Sequence, residues 1–256
     1  MRSVRAKKHL GQHFLTDKNI AKKITDLINT DSKHIVEIGP GMGVLTKNLI
    51  QKNIPLTIIE IDSESVNYLR IKFPELNQNI IENDFLKTNI KKDLPSSFSL
   101  IGNFPYNISS QILFKVFENK NQVKEVIGMF QKEVAERIIT KKGKKKGILS
   151  ILMQAFFDVE YCFTVDEHVF NPPPKIKSGV IKLVRNKRLN IECSENLFIN
   201  IVKTSFNQRR KTLRNALKSF SLESKLANTV LLKKRAEELS VEDFIKITLA
   251  CQKEKK

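Results

Sequence analysis

No run of about 18 apolar residues occurs in the sequence, so no membrane-spanning helix is expected. Cysteine is scarce. Cys162, Cys193 and Cys251 are scattered without a C-x-x-C pair, which excludes a disulfide frame and a cysteine zinc site. They read as reduced thiols of a cytoplasmic protein, and no metal is expected. The opening stretch from Met1 to Lys8 is basic and lacks the apolar core of a secretory signal. Internal repeats and low-complexity segments are absent. Acidic residues are the minority: 27 Asp and Glu against 45 Lys and Arg leave a net charge of +18. That excess points to a polyanionic partner, most simply nucleic acid. The 256 residues are 41% hydrophobic, enough for one α/β domain and a smaller second one.

The organising stretch is Val36 to Thr46. The apolar run Ile35 to Ile38 reads as a buried strand, Gly39, Gly41 and Gly43 as a tight turn, and Val44 to Ile50 as a helix. Glycines let a ligand approach the backbone, and free N–H groups at a helix start favour a polar or anionic group. The pattern is G-x-G-x-G, and Thr46 stands where a dinucleotide fingerprint would place a third glycine or alanine. A second strand, Leu56 to Asp62, ends in acids roughly 20 residues on, where ribose hydroxyls are bound in nucleotide folds. Glu37 just before the glycines would repel a pyrophosphate. It suits a ligand with a cationic end, such as S-adenosylmethionine, and disfavours a nicotinamide enzyme. The stretch resembles the first motif of class I methyltransferases.

Strand and helix alternate through the rest of the first 186 residues, which predicts a mainly parallel sheet covered on both faces. Asp17 caps a helix carrying Ile20, Ile24, Leu27 and Ile28 on one face. Asn79 to Phe85 is a third strand with Asp84 at its carboxyl end, and Ser99 to Asn103 a fourth. Glu125 to Phe130 is a fifth, and Ser178 to Val184 alternates like a final one. Lys141 to Gly147 is a basic loop, either simply solvated or in contact with phosphate. From residue 187 the composition shifts and strands stop, so 187–256 reads as a small basic helical domain that binds RNA. Arg210, Arg214 and Lys218 recur every fourth residue and are expected on one helix face. Ser240 to Asp243 fits a capping box.

Asn103-Phe104-Pro105-Tyr106 follows the fourth strand at the presumed ligand edge. An adenine exocyclic amine is a poor nucleophile, because its lone pair is delocalised into the ring. The Asn103 side-chain oxygen and the Phe104 carbonyl can accept hydrogen bonds from such an amine and hold it in line. Pro105 stiffens the loop, and Tyr106 offers a face for an extruded base. An activated methyl donor needs positioning more than a metal or covalent nucleophile.

Five pieces in order, Leu10 to Leu15, Glu37 to Gly41, Asn103 to Tyr106, Phe170 to Ser178 and Phe206 to Leu213, make the whole chain resemble the small-subunit ribosomal RNA adenine dimethyltransferase family. The resemblance implies a Rossmann-like class I methyltransferase domain with a small C-terminal helical domain. S-adenosylmethionine is the implied cofactor, with contacts at His13, Leu15, Gly39, Gly41, Glu60, Asp84 and Asn103. Glu60 would hold the ribose and Asp84 the adenine amine. Phe170 matches an aromatic expected beside the target base, and Arg209, Arg210 and Arg214 would meet the RNA. His13 departs from the usual Asn, and Phe104 from the commoner Leu. The implied activity is dimethylation of two adjacent adenines near the 3′ end of small-subunit rRNA. The implied partner is an assembling small ribosomal subunit, met by a monomer. The alternatives are a large-subunit rRNA adenine methyltransferase of the antibiotic-resistance type and a non-catalytic assembly factor.

Overall fold

The structure is a computed structural model that describes residues 4–29, 31–220 and 229–253. The chain forms two compact units, Met1–Ala135 with Val159–Arg185, and Glu136–Asp158 with Asn186–Lys256.

Among the described residues the first unit carries nine strands: β1 (Phe14–Leu15), β2 (Ile35–Ile38), β3 (Leu56–Glu60), β4 (Ile80–Glu82), β5 (Phe98–Asn103), β6 (Val123–Gln131), β7 (Phe157–Val165), β8 (Phe170–Asn171) and β9 (Ser178–Arg185). The first two residues of β7 fall in the second unit. Seven strands form one sheet in the order β4-β3-β2-β5-β6-β9-β7. The pairs from β4 to β6 are parallel, and β9 runs antiparallel to β6. The mainly parallel sheet read from the apolar runs is therefore present. Its central strands are buried on both faces, as β2 with all four residues shielded shows. The chain steps from β2 outward through β3 and β4, then returns past β2 to β5. The order reverses between β2 and β5, where open α/β sheets bind ligands beyond the strands' carboxyl ends.

A separate two-stranded ribbon pairs β1 with β8, Phe14 opposite Asn171 and Leu15 opposite Phe170. It ties the N-terminal segment to the proline turn. Asp17 caps the helix Lys18–Thr25 by accepting from the Asn19 and Ile20 amides, as its position in the sequence suggests.

The second unit begins earlier than residue 187, because 136–158 belongs to it. The helix Ile148–Phe156 is apolar along most of its length, and six of its nine residues are buried. The helix Glu195–Asn207 buries Phe198, Ile201, Val202 and Phe206, and the Phe206 ring stacks on Phe244 at 6.0 Å. The capping box at Ser240 is present: the Asp243 amide donates to the Ser240 hydroxyl and the Ser240 amide to the Asp243 carboxylate.

One expectation fails here. Arg210, Arg214 and Lys218 do not share a helix face, because the helix stops at Asn207 and, among the described residues 208–220, only Leu213–Ala216 is α-helical. The Leu213 amide donates to the Lys234 carbonyl instead, a tertiary bond that overrides the four-residue spacing. Within the basic loop, Lys146 is no phosphate ligand. Its side chain is buried and donates to the Lys141 and Leu239 carbonyls. Burial pushes its amine down to about 8.

Candidate active site

Four functional side chains come from four consecutive parallel strands or the turns just after them. Glu37 is in β2, Glu60 ends β3, Asp84 follows β4 and Asn103 ends β5. Glu60, Asp84 and Asn103 line one open cleft, and Glu37 borders a second, smaller pocket that shares Gly39 and Asn103 with it.

Glu60 is 4% exposed, and both its oxygens are oriented by backbone. Oε1 accepts from the Asp62 amide at 2.9 Å, and Oε2 from the Gly41 amide at 3.1 Å. Burial pushes its carboxyl up, while those amides work the other way. Gly41 has φ +56°, and a Cβ there would stand 2.6 Å from the Phe14 ring, so only glycine fits. Asp62 is not a ligand group. It caps the helix Ser63–Lys72 and is taken up by Lys7, Gln12 and Ser65. This pins the N-terminal segment, whose His9 to Phe14 form one wall of the cleft.

At the end of β5 the Asn103 side-chain nitrogen donates to the His13 carbonyl at 2.8 Å, which fixes the amide and leaves Oδ1 as the acceptor. Phe104 is 1% exposed, and its ring meets Phe130 edge-on at 5.3 Å. A Cβ on Gly128 would collide with both rings, so the glycine makes room for the larger Phe. The Tyr106 hydroxyl pairs with Ser178 at 2.5 Å, and its ring stacks on His13 at 5.7 Å.

The cleft thus assembles His13, Gly39, Gly41, Glu60, Asp84 and Asn103 to Tyr106. Leu15 is a core residue that also lines a second, smaller pocket with Glu37, Gly39 and Asn103. Phe170 is 4% exposed and packed in the same core as Leu15, because its strand partner is Leu15 itself; it is not an open face for a base. Arg209 donates to the Glu237 carboxylate at 2.8 Å and the Lys144 carbonyl at 2.6 Å, and Arg209, Arg210 and Arg214 are all exposed. Sequence reasoning missed Ile61, an isoleucine 49% exposed on the cleft wall next to Glu60. An apolar residue between two acids at a strand end was the available signal.

The strand order, the glycine turn and an acid at the end of each of the next two strands define a class I S-adenosylmethionine-dependent methyltransferase. Within that class the chain belongs to the ribosomal RNA adenine dimethylase family, whose model matches residues 3–253. It is 56% identical over 251 residues to a ribosomal RNA small subunit methyltransferase A of Flavobacterium johnsoniae, covering 97% of this chain and 96% of that one. A protein of the same name from Cytophaga hutchinsonii is 53% identical over 252 residues, covering 97% and 98%. Among solved structures, a dimethyladenosine transferase from Plasmodium falciparum superposes with TM-score 0.80 at 26% identity, covering 95% and 98%. The 23S rRNA methyltransferase ErmE, at TM-score 0.66 and 22% identity over 92% and 99%, shares the fold.

The residues fit the cofactor. Glu37 is 1% exposed; the Thr46 hydroxyl donates to its Oε2 at 2.7 Å, but its Oε1 has no partner. Burial raises its carboxyl to about 8, with Thr46 opposing and Glu60 adding to the rise. A buried orphan oxygen beside the small pocket calls for a donor or cation, which the methionyl ammonium of a bound cofactor would supply. The sign of the linkage follows. An acid raised in the folded state costs stability as pH climbs from its ordinary range towards 8, and a bound cation reverses this by favouring the carboxylate. Binding of S-adenosylmethionine at pH 7 is therefore expected to release up to about one proton. Calorimetry in two buffers of different ionisation heat measures it. Glu37→Gln should abolish the release, and equal release in that variant would take Glu37 out of the cofactor site.

Proposed function

We propose that the protein transfers methyl groups from S-adenosylmethionine to the N6 amines of two adjacent adenines near the 3′ end of small-subunit rRNA. The cofactor supplies a methyl group already activated on a sulfonium. Gly39 and Gly41 would let it lie against the backbone, Glu60 would accept from its ribose hydroxyls, Asp84 from its adenine amine, and Glu37 would face its ammonium.

The orientation of Asn103 carries the reading. With its nitrogen committed to the His13 carbonyl, its oxygen is preset to accept from an incoming amine, and preset acceptors act without reorganisation. The Phe104 carbonyl is the second acceptor. Tyr106, anchored through Ser178 with one face against His13, would present the other face to the extruded base.

The substrate is rRNA within an assembling small subunit in the cytoplasm, and the protein acts as a monomer. The second unit supplies the phosphate contacts. Lys141, Lys142 and Lys144 of the basic loop, with Arg210 and Arg214, are exposed there. Arg210→Ala with Arg214→Ala is expected to weaken rRNA binding, leave cofactor affinity intact and flatten the salt dependence by about 0.7–0.9 in log–log slope per lost contact. Binding titrations over a range of salt measure the slope, and an unchanged slope would assign these arginines to packing. Primer extension on each rRNA from a deletion strain tests the substrate. The stop should vanish from small-subunit rRNA alone, and a change confined to large-subunit rRNA would contradict the reading.

A further inference from the structure

Asp84 can read the cofactor's adenine only while the loop that carries it stays in place. We propose that Lys115 is the positioning residue that holds it there, tying residues 83–88 to the helix that follows Tyr106 and so setting the protein's preference for an adenine amine. The inference rests on the reading above in which Asp84 accepts from that amine.

Residues 83–88 fix their own shape. The Leu86 amide donates to Oδ1 of Asp84 at 2.9 Å, which leaves Oδ2 for a ligand amine. The Thr88 amide and hydroxyl both donate to the Asp84 carbonyl, at 3.0 and 3.1 Å. Bonds within a loop settle its form but not its place on the body. The Asn83 amide moors the start of the loop to the Glu60 carbonyl at 3.0 Å. Past Asp84 the mooring comes from Lys115. Its Nζ donates to the Leu86 carbonyl at 2.7 Å and stands 5.5 Å from the centre of the buried Phe85 ring. Burial pushes this amine down, and the charges of Asp84, Glu118 and Asp93 work the other way. One ammonium thus grips both residues that follow Asp84.

Lys115 lies in the last turn of the helix Ser109–Glu118. The first residue of that helix, Ser109, donates its hydroxyl to the Tyr106 carbonyl at 3.1 Å. The helix therefore holds the turn after Asn103 at one end and the loop of Asp84 at the other. Asp84, Phe85, Leu86, Asn103 and Tyr106 line the same cleft. The helix is anchored in the core by Ile112, Leu113, Val116 and Phe117, so replacing Lys115 should leave it in place.

Lys115→Met and Lys115→Leu keep an apolar stem but offer no donor to Leu86 and no cation to Phe85. Both are made, and the readings are taken from a variant that melts cooperatively. Calorimetry is run with S-adenosylhomocysteine and with its analogue lacking the 6-amine. Wild type should prefer the first by about 10- to 150-fold, the range for a hydrogen bond to a carboxylate. In the variant that preference should fall by about threefold or more, the coupling expected of groups that act together. General loosening of the fold would weaken both ligands alike and leave the ratio standing, and a ratio that stands overturns the role of Lys115. In single-turnover methylation the variant should need more cofactor for half-saturation, yet at saturation keep a rate within about threefold of wild type. A larger loss of rate at saturation also overturns it. Wild type that does not distinguish the two ligands takes down the reading of Asp84 and this one with it. Wild type that distinguishes them but makes no methyladenosine takes down the methylation reading and leaves Lys115 to be judged by the binding ratio.

Discussion

Asn103→Ala is expected to slow single-turnover methyl transfer by about 10²–10³-fold, the range found for removing one preorganised hydrogen-bonding group from a reacting centre. The protein should stay folded and still bind RNA. What is lost locally is one part-buried bond, from the side-chain nitrogen to the His13 carbonyl, worth roughly 0.5–1.5 kcal/mol of stability. What is lost in the reaction is an acceptor whose direction that bond had already fixed. Saturating cofactor is essential to the measurement, because Asn103 also borders the small pocket beside Glu37. A rate within about threefold of wild type, against the 10²-fold minimum expected for such a group, would remove Asn103 from catalysis. Product that stops at monomethyladenosine would narrow its role to reorienting the amine for the second methyl group.

Glu60→Ala is expected to weaken cofactor binding by roughly 1.5–3 kcal/mol, a loss of about 10- to 150-fold in affinity, with RNA binding unchanged. The carboxylate does two jobs here. It accepts from the Gly41 and Asp62 amides, which holds the glycine turn in shape, and its remaining lone pairs are open to ribose hydroxyls. Alanine abandons both. Calorimetry with S-adenosylhomocysteine, beside a melting curve to confirm folding, separates the loss of a ligand contact from collapse of the turn. An unchanged dissociation constant would take Glu60 out of the site.

Much of this site was legible because it obeys local rules. Apolar runs marked β2, β3 and β5, and the polar residues that end them, Glu60 and Asn103, had to fall on one sheet edge once the strands were parallel. The glycines read as room for a ligand against the backbone, whereas the atoms that crowd Gly41 in the structure belong to the Phe14 ring. What was not legible depends on tertiary partners. The spacing of Arg210, Arg214 and Lys218 is helical, but the Leu213 amide is claimed by Lys234, some 21 positions along the chain, and the helix ends early. Lys146 reads as one more lysine of a solvated loop until the Leu239 carbonyl buries it. Phe170 reads as an aromatic before prolines, free to stack, until β1 pairs with its strand and draws it into the core. Residues 136–158 carry no compositional mark of the second unit, since their apolar helix would suit either core.

The central claim is that this cleft dimethylates adenine in small-subunit rRNA. It is tested most directly by supplying labelled S-adenosylmethionine and the purified protein to naked rRNA, immature small subunits, mature small subunits and large subunits, then resolving the product nucleosides. The account predicts label in N6,N6-dimethyladenosine, from small-subunit rRNA and above all from immature subunits. Label in large-subunit rRNA, or in any nucleoside other than methylated adenosine, would contradict it.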